Sequence, residues 1–516
     1  MSEFSQRFRE GIALFNAEEF FEAHEALEDV WRESTGNDRQ FFQGLVQVAV
    51  GLHHYSTGNK VGAQSVLARA LENLRGYPSH YSGIRLDSVR KDVARWPYAL
   101  AQNHPAPPIP KIEVTDARLA APLNHIATKP ASAQQSTSAG VPMLDLRRQY
   151  AQIHNEIAAA IDGVCSSQHF ILGAEVEAFE SEASVFLGAA HTVGCASGSD
   201  ALWLGLIAAG VKPGDDVITT PFSFFASASA IAHAGARPVF VDVDPRTLNL
   251  NAEAVEEKLM KSRPPHISAI LPVHLYGQCA DMDGFGRIAS EYGVAIIEDA
   301  AQAFGAKWRD RRAGTLGHVA AFSFYPTKNL SAYGDAGCLT TNDAGMADRA
   351  RLLRNHGSRT RYHHEETGWN SRLDAIQAAI LRVKMNYLES WNAARRAHAA
   401  RYDALLRETG LLSKANVPLS ALETLPEAFH IVHQYVVRAS RRDELRKFLS
   451  ARNIGTEVYY PIPLHLQPPL AYLGYTAGDF PEAELAANEV LALPMFPELT
   501  DEEQRLVVQA ISDFYS

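Results

Sequence analysis

Apolar positions recur at helical spacing through the first hundred residues. Phe20, His24, Leu27, Glu28 and Trp31 share one face of AEEFFEAHEALEDVWRE, and Phe41, Leu45, Val48, Leu52 and Tyr55 share one face of DRQFFQGLVQVAVGLHHYSTGN. Gly58-Asn59 is placed to stop that helix, and VGAQSVLARALENLRG reads as a third, closed by Gly76. No alternating stretch interrupts them, so residues 1–100 are expected to form an all-α bundle. His24 and Glu28 lie one turn apart on the apolar face. A buried histidine and glutamate must be hydrogen-bonded or bind something. His53 and His54 on the next long helix are positioned to meet them. HExxE lacks the second histidine of the zinc-protease helix, so a satisfied core network is favoured over a metal site, and no metal is expected.

The period vanishes over residues 101–141, where proline, alanine, serine and glutamine dominate (HPAPPIPKIEV, KPASAQQSTSAG). This reads as a flexible linker with a reach of about 35 Å root-mean-square. Short apolar runs then alternate with helical patterns. MLDLRRQYAQIHNEIAAAIDGV and AEVEAFESEASVFLG are helices, and HTVGCASGSDALWLGLIAAG is strand, turn and helix. Ser199 or Asp200 is placed to cap that last helix, and a glycine turn at a helix N-terminus offers N–H groups to a phosphate. Further strands follow in RPVFVDVDPRTLNL and ISAILPVHLYGQ. Such βα repeats imply an α/β fold with a mixed, mostly parallel sheet. A helix from about Leu373 leads out of this large domain, 142–394, into a smaller C-terminal α/β domain, 395–516.

Two apolar runs in this region carry chemistry. Val294–Ile297 ends in Glu298-Asp299, and Val319–Phe324 runs into Tyr325-Pro326-Thr327-Lys328-Asn329. Ligands of open α/β sheets bind at the C-terminal edge of the strands. An acid and an amine delivered there suit pyridoxal phosphate, which needs a lysine to hold it covalently and an acid to keep its pyridine nitrogen protonated. Lys328 and Asp299 are the candidates for those roles; the plainer reading is a solvated lysine and a loop-end aspartate of an ordinary α/β domain, which the set taken together disfavours. Gln302 is placed to hydrogen-bond the ring oxygen, and Ser323 to take the phosphate.

EDAAQAFGA, FSFYPTKNLSAYGDAG and RNHG…GWNSRLDAIQAA resemble the DegT/DnrJ/EryC1/StrS family of pyridoxal-phosphate sugar aminotransferases, from about residue 142 to 516. The resemblance implies a fold-type I aminotransferase. It places the cofactor phosphate at Gly198, Ser199 and Asp200, and an aromatic stacked on the pyridine at Phe224, although Phe222, Phe224 and Phe225 also read as core. It implies that Asn370 reaches the phosphate of a neighbouring subunit, making a homodimer with composite active sites. It also implies glutamate as amino donor and a nucleotide-linked keto sugar as acceptor. Tyr459, Tyr460 and His465 read either as sugar-pocket residues or as packing. The 4-keto branch reads close to HPTKN…GEGG around the lysine. YPTKN…GDAG, NSRLDAIQAAIL and YYPIPLHLQ here look more like the 3-keto branch. Two other readings stand beside this one. The first is a non-catalytic cofactor-binding regulator or scaffold. The second is another reaction on the same scaffold. Lys328 speaks against the dehydratase variant, which has histidine there. Cys338, at the start of the apparent strand CLTT, speaks against a desulfurase. The first ninety residues resemble a small helical family of unknown function, which brings no activity with it.

Composition narrows the partners. Of 516 residues, 48 are Lys or Arg and 59 Asp or Glu, giving −11, which argues against nucleic acid or an anionic membrane as main partner. Cys165, Cys195, Cys279 and Cys338 form no CxxC pair and read as reduced thiols of a cytoplasmic protein. The polar start MSEFSQRFREG does not read as a signal peptide, so none is expected, and no apolar run reaches membrane-spanning length.

Overall fold

The computed structural model describes residues 3–56, 59–101, 104, 106–116, 140–261, 267–412 and 418–516. The chain divides into two compact units, Met1–Ser136 and Thr137–Ser516.

The first unit is built from α1 (Glu3–Asn16), α2 (Phe20–Glu33), α3 (Gly36–Ser56), α4 (Lys60–Leu74), α5 (Leu86–Val93) and α6 (Arg95–Ala101). The apolar stripes read from the sequence meet in one core, with Leu27, Phe41, Leu45, Val48 and Leu52 buried. Burying each such side chain stabilises by about 1.5–3 kcal/mol. Asn59 does more than end α3. Its Oδ1 accepts the Gly62 N–H at 2.9 Å and so caps α4.

Three expectations for this region are corrected. A hairpin pairs His80–Tyr81 with Ile84–Arg85 around Gly83 at φ +80°; two-residue strands are too short to show alternation. His24 and Glu28 are not buried. They pair at 3.2 Å with about a quarter of each side chain exposed (27% and 26%), and Glu28 also takes Arg32 at 2.9 Å. The face that carries them is only partly covered, so the two make a partly exposed side-chain contact rather than a core network. Among the described residues no cluster of three or more His, Cys, Asp or Glu could hold a metal. The supposed linker is also partly folded. Ile112 is 2% exposed, its N–H and the Asn16 side chain bond at 2.7 Å, and Val114 bridges Ile84. The apolar residues of PPIPKIEV are therefore packed. The rest of the expected linker, 117–139, lies outside the described residues.

The second unit opens with α7 (Leu146–Ser167) and α8 (Ala174–Leu187). Its sheet strands are β1 (His191–Cys195), β2 (Asp216–Thr219), β3 (Arg237–Phe240), β4 (Ile267–Leu271), β5 (Ala295–Asp299), β6 (Val319–Ser323) and β7 (Gly337–Thr341). These seven lie in the order β1-β7-β6-β5-β4-β2-β3. Only β7 runs against the others, pairing antiparallel with both β1 and β6. The helices that position the site are α9 (Gly198–Ala208), α10 (Ala226–His233), α11 (Ala375–Met385) and α12 (Leu388–Glu408). The β strands read as continuous apolar runs because both faces are covered. The C-terminal part adds an antiparallel sheet, Leu419–Ala421, Tyr435–Ala439 and Val490–Leu493. Its Val437 and Leu491 belong to the same core as Val193 of the large sheet and Leu204 of α9. A second strand pair, Ala428–Phe429 with Lys307–Trp308, ties the two parts again.

Candidate active site

β5 and β6 are parallel with Asp299 opposite Ala321, so both strands end at one edge. Successive side chains of a strand point to opposite faces. Glu298 therefore leaves the cleft that Asp299 enters. Glu298 Oε2 accepts from His274 Nε2 and the Gly314 amide, both at 2.9 Å. Its Oε1 accepts from Leu316 and Gly317 amides at 2.8 and 2.7 Å. His274 Nδ1 accepts the Ala280 N–H at 3.2 Å, so the ring is neutral with its proton on Nε2. Glu298 is thus a saturated anchor under the loop between the two strands.

Asp299 is 4% exposed. Its Oδ2 accepts from Ser227 Oγ at 2.6 Å and its Oδ1 from the Ala301 amide at 3.2 Å. Burial pushes the carboxyl up, while the Ser227 hydroxyl, the Ala301 amide and the Lys328 amine pull it down. In so dry a place a cation beside it is held strongly. Lys328 follows β6 in a turn closed by its N–H on Tyr325 O at 2.8 Å. Part of its side chain stays open to solvent. Desolvation nevertheless pushes its amine down to about 8, with Asp299 opposing. Such an amine is far more nucleophilic near neutrality than a surface lysine.

Gln302 Oε1 accepts the Tyr276 N–H at 2.6 Å, and its Nε2 donates to the Tyr460 hydroxyl at 3.1 Å, leaving one amide proton. Burial, then Asp299, pushes the Tyr460 phenol up, so Tyr460 belongs to this cleft. The three phenylalanines separate clearly. Phe222 is sealed in the core, Phe225 is half-buried, and Phe224 is 60% exposed with its ring 6.2 Å from Tyr460. Tyr459 is half-buried and its carbonyl accepts the Tyr276 hydroxyl. His465 is not brought to the cleft. Its side chain is fully buried, bonded to Glu484 at 3.0 Å and packed on Phe480 at 4.8 Å. The apolar residues around it are the stronger draw, and the packing alternative describes it.

At the start of α9 the cap is Ser197, not Ser199 or Asp200. Ser197 Oγ accepts the Asp200 N–H at 3.1 Å. The Asp200 carboxylate takes the Ser371 hydroxyl at 2.8 Å instead of facing an anion, and burial pushes it up. The amides of Gly198 and Ser199 have no partner within a helix at these positions. Ser323 closes the cradle, because a Cβ on Gly198 would lie 2.6 Å from Ser323 Cβ. Asn370 is exposed and bridges Asn355 beside Ser371. Gly198→Ala should crowd this cradle and weaken cofactor retention about tenfold, the equivalent of the lower end of an overpacking cost. Equilibrium dialysis of the cofactor measures it, and unchanged retention contradicts the cradle.

The residues fit pyridoxal phosphate: an amine of lowered basicity, a buried acid, an open aromatic face and a cradle that a Cβ would fill. Sequence reading missed Ser227, Ser371, Asn329 and His433 around them. The S-x-x-D spacing was a signal only for the Ser197 cap; nothing local marks the other four.

Residues 151–512 match the model described as DegT/DnrJ/EryC1/StrS aminotransferase family, and residues 8–66 match a domain of unknown function, DUF309. A "Pleiotropic regulatory protein" of Geobacillus stearothermophilus is 50% identical over 375 residues, 73% of this chain and 98% of that one. The dTDP-3-amino-3,4,6-trideoxy-alpha-D-glucose transaminase of Streptomyces venezuelae is 44% identical over 374 residues, 72% of this chain and 96% of that one. Among solved structures, S. venezuelae DesV superposes with a TM-score of 0.70 at 43% identity, covering 73% of this chain and 99% of the other. Bacillus subtilis NtdA with bound cofactor PMP gives 0.66 at 30% identity, covering 74% and 87%. These neighbours carry the same fold-type I architecture.

Proposed function

The chain belongs to the DegT/DnrJ/EryC1/StrS aminotransferase family, and from that premise we propose that it moves the amino group of glutamate onto C3 of a nucleotide-linked 3-keto sugar. The general reaction, pyridoxal-phosphate-dependent amino transfer onto a nucleotide sugar, follows from the family and its relatives. Lys328 beside Asp299 at one sheet edge is the observation that carries the reading. When bound, the cofactor supplies an electron sink that stabilises a carbanion. Lys328 would hold it covalently, and its amine, of lowered basicity, would be the group that carries protons when free. Asp299, dried by burial and steadied by Ser227, would keep the pyridine nitrogen protonated. Phe224 would stack on the ring, Gln302 would bond its oxygen with the remaining amide proton, and Gly198, Ser199 and Ser323 would hold the phosphate. Tyr460, joined to Gln302, borders the sugar.

C3 is favoured over C4 by the YPTKN…GDAG wording of the lysine loop and by the 3-amino sugar named for the S. venezuelae relative. Glutamate-treated holoenzyme should lose its visible cofactor absorbance. A 3-keto nucleotide sugar should restore it at least about ten times faster than the 4-keto isomer, since a misplaced carbon loses reacting geometry. Restoration by the 4-keto sugar alone refutes the choice of carbon.

The regulatory name borne by the G. stearothermophilus relative favours a second reading, a regulator without turnover. Lys328 and Asp299 speak for catalysis, and absorbance that no keto sugar restores would favour the regulator. A homodimer with composite sites completes the proposal, with exposed Asn370 bonding the phosphate of the neighbouring subunit. Mixed dimers of Lys328→Ala and Asn370→Ala chains should regain activity well above either parent, because one site escapes both lesions. No recovery places Asn370 in its own subunit's site.

No helix among the described residues is long and apolar enough to cross a membrane.

A further inference from the structure

Three hydrogen bonds close a ring along one wall of the cleft, and the ring begins and ends at Tyr276. The Tyr276 N–H donates to Gln302 Oε1 at 2.6 Å. A backbone N–H only donates, so Nε2 is the end of the Gln302 amide that meets Tyr460, donating to its hydroxyl at 3.1 Å. The Tyr460 oxygen accepts there, and its own proton stays available to a further acceptor. One peptide back, the Tyr459 carbonyl accepts the Tyr276 hydroxyl. Tyr276 thus aims Gln302 through its backbone and the Tyr459–Tyr460 segment through its side chain.

Tyr276 is itself held firmly. It is 2% exposed and lies in the left-handed region at φ +56°, which side chains with a Cβ rarely adopt. Such a backbone persists where its contacts over-determine it. The Tyr276 carbonyl accepts the His433 N–H at 2.8 Å and His430 Nε2 at 3.0 Å, and the Gly277 carbonyl accepts the Ile431 N–H at 3.1 Å. The turn after β4 is therefore stitched to segment 430–433, and the Tyr276 hydroxyl extends the stitching to Tyr459. Burial, then Tyr460, pushes the Tyr276 phenol up, so it keeps its proton and stays a donor.

We propose that Tyr276 is a positioning residue for the sugar acceptor: its hydroxyl, by holding the Tyr459 carbonyl, sets where the Tyr460 hydroxyl stands and so how the keto sugar lies. No covalent bond is made or broken by Tyr276. Tyr276→Phe removes one oxygen and leaves the N–H that aims Gln302. The loss should therefore fall on the sugar half of the reaction and spare the glutamate half. The inference rests on the reading that Tyr460 borders the sugar.

The test separates the two halves in holoenzyme and uses whichever keto nucleotide sugar, 3-keto or 4-keto, restores the unaltered chain. Glutamate should bleach the cofactor absorbance of Tyr276→Phe within about twofold of the unaltered rate, which also shows that the variant has folded. Restoration by the sugar should slow about tenfold or more, since a small displacement of a positioning group costs this much. In a Tyr460→Phe background the same substitution should change restoration by less than about twofold, because it acts through a hydroxyl already removed. Amide exchange read by mass spectrometry should rise about fivefold over residues 457–464 of Tyr276→Phe and stay unchanged over 375–385. Equal slowing of bleaching and restoration, additive losses in the double variant, or unchanged exchange over 457–464 overturns the proposal and leaves the aminotransferase reading standing. An unaltered chain that glutamate bleaches and neither sugar restores overturns both.

Discussion

Lys328→Ala should abolish amino transfer, with a loss of at least about 10⁴-fold, since it removes both the covalent attachment and the proton carrier. The visible absorbance of the covalently held cofactor should vanish with it. The alternative amine, Lys384, is 1% exposed, donates to Ser331 at 2.9 Å and packs over the Tyr333 ring, so it cannot take over. Absorbance spectroscopy and mass spectrometry of the borohydride-treated variant check the outcome. A lysine adduct retained in Lys328→Ala contradicts the assignment.

Asp299→Asn should separate binding from chemistry. The amide keeps the size of the side chain and can still accept from Ser227, which now bonds Oδ2 at 2.6 Å. It no longer balances a positive pyridine nitrogen. Removing one preorganised electrostatic partner in a dry site typically costs about 10²–10³-fold in kcat. Cofactor should therefore remain bound while turnover falls by that factor. The acidic limb of the pH profile should also change. In the unaltered chain, burial raises the Asp299 carboxyl, so activity is lost as pH falls through that raised value; in the amide variant this loss is absent. Near-normal turnover of Asp299→Asn contradicts the pyridine role.

The parts legible in the sequence are those set by local pattern. The apolar runs ending at Asp299 and Ser323 are parallel neighbours of the sheet, and their spacing placed the acid and the amine at one edge. The helical stripes of the first unit were equally plain, since every third or fourth position is buried. What escaped was decided by tertiary contacts. Ser227 meets Asp299 across 72 positions and His433 meets Asn329 across 104, and no short-range pattern announces either. Ile112 folds back on Asn16 from within a proline-rich stretch whose composition suggested a linker. His465 reads from the sequence as either a sugar-pocket or a packing residue, and Phe480 and Glu484 enclose it. Asp200 was read as a cap or phosphate ligand, but Ser197 and Ser371 satisfy it first.

The central claim, glutamate-driven amination at C3, is met most directly by following the nitrogen. Purified full-length protein with pyridoxal phosphate is supplied with ¹⁵N-glutamate and a 3-keto or a 4-keto nucleotide sugar, and the product is located by NMR. The account predicts ¹⁵N bonded to C3 of the 3-keto substrate and little product from the 4-keto one. Label appearing at C4, or in neither sugar while glutamate is consumed, contradicts it.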